Sequence, residues 1–283
     1  MGRDVIRLRT MTRRDVPLGI RLTRQAGWNQ TEADWHRFLD LEPGGCFVAL
    51  WEGQPAGTAV TSVFDSVAWI AMILVDKELR GRGIGTRLVE QGLAYLEGRQ
   101  VASIRLDATP LGTPIYEKLG FSPQYELGRW EGVAPGAPSH PRVAPIAAHE
   151  LPAVIELDRR ISGTHRPRLL EYLHQHNPGR TCVFRDGDRV AGYATCREGA
   201  RAVQIGPAAA LGPQAGRALA DAMLQLSAGC PVFVDIPCDN GPATRWANDQ
   251  GFALQRPFTR MGRGPWVADL PGSIWASSGP ETG

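Results

Sequence analysis

From Arg80 to Thr86 the chain reads Arg-Gly-Arg-Gly-Ile-Gly-Thr, two arginines interleaved with three glycines between an apolar run and a helical pattern. A helix start leaves backbone N–H groups without partners and carries the positive end of the helix dipole, so it attracts an anion. Glycines at 81, 83 and 85 can take φ > 0 and turn consecutive N–H groups toward one point. The chemistry this composition suits is the capture of a phosphate or pyrophosphate. Two other glycine loops fail on spacing. A dinucleotide fingerprint needs glycine three residues after Gly83 or Gly85, where Thr86 and Leu88 stand, and a P-loop needs Gly-Lys-Ser/Thr where the chain has Gly85-Thr86-Arg87.

The loop depends on the elements around it. Residues 67–75, Val-Ala-Trp-Ile-Ala-Met-Ile-Leu-Val, are apolar without alternation, as in a central strand covered on both faces. Leu88, Val89, Leu93 and Leu96 then keep helical spacing up to Gly98. A second strand follows at 102–107, and a short helix carries Tyr116 one turn before Gly120-Phe121.

The R-x-x-G-x-G of Arg80, Gly83 and Gly85, followed in order by Tyr116 and Gly120-Phe121, resembles the coenzyme A pyrophosphate loop and last conserved block of the GNAT superfamily of acyl-CoA N-acyltransferases. The resemblance implies a central strand that splays from its neighbour, with backbone groups of Ile73, Leu74 and Val75 pairing with the pantetheine arm of acetyl-CoA. It places the pyrophosphate on the N–H groups of Arg80, Gly81, Arg82, Gly83, Ile84, Gly85 and Thr86, and Thr109, where many relatives carry asparagine, near the pantetheine. A backbone N–H near Leu74 is expected to serve the oxyanion. Tyr116 is the expected proton donor to the leaving thiolate, since a phenol of ordinary pKa, about 10, is protonated at neutral pH; the bland alternative is a tyrosine packing on the cofactor channel. Some relatives carry a glutamate base on the central strand, and none stands there. Asp65 and Asp107 are the nearest carboxylates by topology, each also read as a turn or cap residue. Trp28 and Asn29 fall in the loop that overhangs the acceptor in this fold.

Ahead of the loop, an alternating strand from Val5, a helix opened by Thr12, a second helix opened by the capping box Thr31-Glu-Ala-Asp34 with Trp35, Phe38 and Leu39 buried, and a hairpin around Glu52–Pro55 complete one unit. The expected organisation is a catalytic GNAT N-acetyltransferase domain at 1–131, a Pro/Gly linker at 132–142, a degenerate GNAT-like domain at 143–268 and a flexible tail at 269–283. Each domain is expected to be α/β, a central mixed sheet flanked by helices. Aligning the halves sets Leu211 opposite Arg80, Pro213 opposite Arg82 and Ala247 opposite Tyr116, so the second half lacks a loop donor and the phenol. It should be catalytically silent, and either wall the substrate cleft or retain a regulatory ligand site.

At 283 residues, 43% hydrophobic and 21% charged, the chain is long enough for two ordinary cores. A net charge of +2 gives no reason to expect nucleic acid. Positive charge is almost all arginine, Lys77 and Lys118 being the lysines. Five cysteines without a C-x-x-C pair suit a reduced cytoplasm, and no metal site is expected. No apolar run approaches the ~20 residues of a membrane span, so no membrane partner is expected. The expected activity is transfer of an acetyl group from acetyl-CoA to a primary amine of a small molecule, by a monomer or homodimer. Alternatives are a non-catalytic acyl-CoA sensor and a protein or peptide N-acetyltransferase.

Overall fold

The computed structural model describes residues 5–136 and 140–283. In the first half the order is β1 (Ile6–Thr10), α1 (Val16–Ala26), α2 (Glu32–Leu41), β2 (Cys46–Trp51), β3 (Gln54–Phe64), β4 (Val67–Val75), α3 (Ile84–Gly98), β5 (Ser103–Ala108), α4 (Thr113–Lys118) and β6 (Ser122–Val133). The second half runs β7 (Val143–Pro145), α5 (Leu151–Ser162), α6 (Pro167–His176), β8 (Thr181–Asp186), β9 (Arg189–Arg197), β10 (Val203–Ala210), α7 (Pro213–Leu226), β11 (Pro231–Pro237), α8 (Gly241–Asp249), β12 (Ala253–Arg263) and β13 (Ile274–Ala276).

Local chemistry sets many of these boundaries. Thr31 caps α2: its N–H donates to Asp34 Oδ2 at 2.8 Å, and its hydroxyl accepts from Asp34 N. Trp35, Phe38 and Leu39 are buried as their spacing requires. α1 can approach α2 closely because residue 19 is glycine; a Cβ there would stand 2.5 Å from the Trp35 ring. On the first half's sheet, α1 and α2 cover one face through Leu22, Trp35, Phe38, Met72 and Leu74. α3 covers the other through Val89, Leu93 and Leu96, against Ala68, Ile70 and Ile104.

The strands form one sheet in the order β1-β2-β3-β4-β5-β12-β6-β11-β10-β9-β8-β7, with β13 added on β10. Two pairs are parallel, β4 with β5 and β10 with β11. The order shows that the halves have exchanged their long final strands. β12 from the second half lies on β5, with Thr259 opposite Ala108 and Arg263 opposite Ile104. β6 from the first half lies on β11, with Pro231 opposite Val133 and Pro237 opposite Leu127. Boundaries at 131 and 143 therefore do not separate two closed units. Part of the expected linker is structured: β6 runs to Val133, and Ala134 is buried and accepts from Gly229 N at 2.9 Å. Residues 137–139 of that linker lie outside the described residues.

Buried ion pairs lock the exchanged strands. Arg260 of β12 grips Asp107 of β5 at 2.8 Å with both side chains 2% exposed, and Arg129 of β6 meets Asp235 of β11 at 2.7 Å. Arg105 of β5 pairs with Asp269 at 2.8 Å. Removing one member of such a pair strands a buried charge at a cost of about 3–5 kcal/mol.

The expectation of a flexible tail at 269–283 is overturned. Asp269 also accepts from the Tyr125 hydroxyl at 2.8 Å, β13 pairs with β10, and Ser277, Ser278, Glu281 and Thr282 are at most 2% exposed. No helix among the described residues is long and apolar enough to cross a membrane.

A chain ending at residue 136 would leave β5 with an open edge and β6 without β11 or β12. Such a fragment is expected to be unfolded or aggregated by circular dichroism and gel filtration, whereas the full chain should melt in one cooperative transition. Independent folding of the fragment would show the exchange to be dispensable.

Candidate active site

The glycine-rich loop joins β4 to α3. Gly81 and Gly83 have φ of +75° and +80°, and a Cβ on either would meet nothing within 4 Å, so conformation rather than crowding demands glycine there. Gly83 caps α3, whose first-turn amides open onto the loop. Gly85 is not in the left-handed region; its missing Cβ leaves space above the helix start, the nearest atom being Val75 Cγ2 at 3.7 Å. Arg80 folds back so that Nε donates to the Val75 carbonyl at 3.3 Å. The Arg82 guanidinium lies 5.0 Å from the centre of the Trp51 ring. Gly81, Arg82, Gly83 and Thr86 are exposed at this helix start, where backbone amides and arginine charge can meet an anion, whereas the Ile84 side chain is buried in the core beneath it.

β4 and β5 pair only from Val67↔Ser103 to Trp69↔Arg105 and then diverge. Residues 70–75, including Ile73, Leu74 and Val75, consequently have no strand partner on the β5 side, in the direction of the loop. Across the gap, Thr109 follows β5, and its carbonyl accepts from Gly112 N at 2.8 Å to start α4. Tyr116 of α4 is half-buried, 6.0 Å edge-on from Phe121, and its ring lies 3.0 Å from the position of a Cβ on Gly112. Desolvation pushes its phenol up to about 12, so the hydroxyl keeps its proton throughout the neutral range.

Sequence reasoning missed Met72. Its φ of +53° is unusual for a non-glycine residue and marks a bulge: Thr58 pairs with Leu74 and Val60 with Ala71, leaving Met72 and Ile73 without partners on β3. Thr58 Oγ1 holds the distortion by donating to the Met72 carbonyl at 3.0 Å. Leu74, where an oxyanion donor is expected, is in register with Thr58, and the irregularity in the strand lies at Met72 and Ile73 instead. Nothing in the apolar run 67–75 signals this position.

Three other expectations are corrected. Asp65 stands in the exposed turn before β4, paired with His165 at 2.8 Å; seven residues of strand, roughly 20 Å, separate it from the bulge. Asp107 has both oxygens bound by Arg260, at 2.8 and 2.9 Å. Asp107 is held by its arginine, and Asp65 is too far along the strand to act as a base at the bulge. Asn29 is no acceptor ligand: its side chain accepts from Arg201 N at 3.0 Å and Ala202 N at 3.1 Å and donates to Ala202 O at 3.0 Å. It pins the loop between α1 and α2 to the second half, while Trp28 packs against the α1/α2 core.

A mixed sheet whose central parallel pair opens toward a glycine-rich helix start defines the class of acyl-CoA N-acyltransferases. The comparisons agree. Residues 17–121 match the model described as the acetyltransferase (GNAT) family, and residues 154–276 match one described as an acetyltransferase (GNAT) domain. The chain belongs to the GNAT acetyltransferase family, with two such domains in tandem, and is an acyl-transferring enzyme. It is 27% identical over 213 residues to the holothin acyltransferase of Pseudoalteromonas sp. (strain SANK 73390), covering 74% of this chain and 71% of that protein. The mycothiol acetyltransferase of Tsukamurella paurometabola is 30% identical over 120 residues, 35% of this chain and 39% of its own length. A putative acetyltransferase from Pyrococcus horikoshii shares the fold over 100% of this chain and 98% of its own, with a TM-score of 0.84 at 21% identity.

Two measurements check this geometry. Gly83→Val, which forces a β-branched residue to φ +80°, is expected to weaken acetyl-CoA binding by at least about tenfold in calorimetry while the protein stays folded. Asn29→Ala should instead cost about 2–3 kcal/mol of stability in denaturant unfolding and leave acetyl-CoA affinity unchanged; the opposite pattern would return Asn29 to the ligand site.

Proposed function

We propose that the first half is an acetyl-CoA-dependent N-acetyltransferase acting on a primary amine of a small molecule by direct attack in a ternary complex, and that the second half is catalytically silent. The observation that carries this reading is the divergence of β4 from β5 toward the Gly81/Gly83 helix start. The gap suits an extended arm that pairs with the free edge of Ile73, Leu74 and Val75, with the loop from Arg80 to Thr86 holding a pyrophosphate at its end. Acetyl-CoA supplies an activated thioester there. The bulge at Met72 offers backbone polarity to the developing oxyanion; as the C–N bond forms and the C–S bond breaks, Tyr116 gives its proton to the departing sulfur and regains one from the proton the acylated nitrogen sheds.

No carboxylate at the bulge serves as base in this scheme. The acceptor must therefore bind as the free amine, and the rate should rise with pH until the acceptor's own amine is deprotonated. Tyr116 acts in its protonated form and its pKa lies at about 12, so it imposes no alkaline fall below about pH 11.

Tyr116→Phe is expected to lower kcat by about 100-fold or more with acetyl-CoA affinity unchanged, and pH–rate profiles for two amines of different basicity should shift with the amine. A profile that ignores the amine's identity would require a protein base. Binding of acetyl-CoA without turnover of any amine would favour the alternative of an acyl-CoA sensor.

A further inference from the structure

The second half carries the same kind of slot, and the chain itself fills it. β10 and β11 pair only from Val203↔Val232 to Ile205↔Val234, and β13 enters where they part, with Ala276 opposite Ala208 and Ile274 opposite Ala209. On the β11 side, Ser277 N donates to the Asp235 carbonyl at 2.8 Å. Asn240, wholly buried at the start of α8, donates to the Ile274 carbonyl at 2.9 Å. Trp275 lies on the first turn of α7, so close that a Cβ on Gly216 would stand 1.9 Å from the indole. Gly216 corresponds to Gly85, above which the first half is open.

Beyond β13 the chain runs between the halves. Arg197 Nη1 donates to the Ser278 carbonyl at 2.9 Å, and the Glu281 carboxylate meets Gln30 and, at 3.8 Å, Arg197. Arg166 donates to the carbonyls of Thr282, at 2.7 Å, and Gly283. Gly283 touches the first half's central strand, since a Cβ there would lie 2.1 Å from Trp69 Cζ2. Trp69 is where β4 and β5 separate. Its indole packs with Leu41 of α2 and with Leu169 and Leu173 of α6, so it shares the α1/α2 face with Met72 and lies opposite α3. The donor arm is expected from the α3 side, so this is the face left for the acceptor.

We propose that β13 is a built-in occupant of the second half's pantetheine slot, and that by filling it the strand holds residues 277–283 as a buried wall beside Trp69 of β4, restricting acceptors to small amines. The proposal rests on the acetyltransferase reading of the first half. An extended peptide acceptor would need a track beside β4 on this face, and the backbone of residues 277–283, its carbonyls bound by Arg166 and Arg197, closes that track at Trp69, which Gly283 touches.

The test compares the full chain, a chain ending at Ala276 that keeps β13, and Glu281→Ala in the full chain. Calorimetry should give one acetyl-CoA per chain in all three, with affinities within about twofold. A second equivalent binding the full chain would show the slot to be open and overturn the anchor. The preference for a panel of small primary amines over tetrapeptides with free amino termini, read as kcat/KM, should fall by at least about tenfold in the shortened chain, through the peptide KM. Glu281→Ala should move it in the same direction, and it alone decides if the shortened chain does not fold. An unchanged preference in a folded variant that still binds acetyl-CoA, or a full chain that prefers peptides, would overturn the wall. Absence of transfer to any amine by all three chains would instead remove the acetyltransferase reading, and the specificity role with it.

Discussion

The structure hangs on one unmet need: β5 must have a partner on its outer edge, and that partner is β12, more than 140 residues later in the chain. Unpaired strand edges expose backbone donors and acceptors that water or another strand must satisfy. Satisfying them from the opposite half merges two sheets into one and brings Arg260 onto Asp107 and Trp69. It also fixes the distance between the halves, so that Asn29 can reach Ala202 and Arg197 can reach Asp34 at 3.1 Å. The walls of the cleft follow from this seam.

What was legible in the sequence was what is local. Gly81 and Gly83 are read correctly because a left-handed turn before a helix demands glycine wherever the rest of the chain goes. The Thr31–Asp34 cap and the buried spacing of Trp35, Phe38 and Leu39 are likewise decided within one or two turns. Asp107 could not be read. A carboxylate ending a strand looks available until its arginine, 153 residues away, is known. The segment Ala276-Ser-Ser-Gly-Pro-Glu-Thr-Gly283 was misread for a related reason: small polar residues normally mark a solvated end, and here their backbone is satisfied by Arg166, Arg197 and Asp235, all distant in sequence. The bulge at Met72 arises from register with β3, which an unbroken apolar run does not encode.

The two halves show how little separates an open slot from a closed one. Both part a parallel pair of strands over a glycine near a helix start. In the first, Gly85 leaves room; in the second, Gly216 leaves the same room and an indole takes it. Asn240, buried at the slot, holds the chain's own carbonyl. A recognition geometry for an extended amide-bearing ligand has become a packing site for a strand, because both present the same alternating donors and acceptors.

The exchanged strands also bear on descent. Two copies of one gene normally drift apart freely, and a copy that loses its chemistry can be deleted. Here the second half supplies β12, without which the first has no closed sheet, and in return takes β6. With strands traded, neither half can be deleted without unmaking the other's sheet. Each half's sequence is answerable to its neighbour's architecture, a ratchet that keeps both in the chain whatever chemistry either performs.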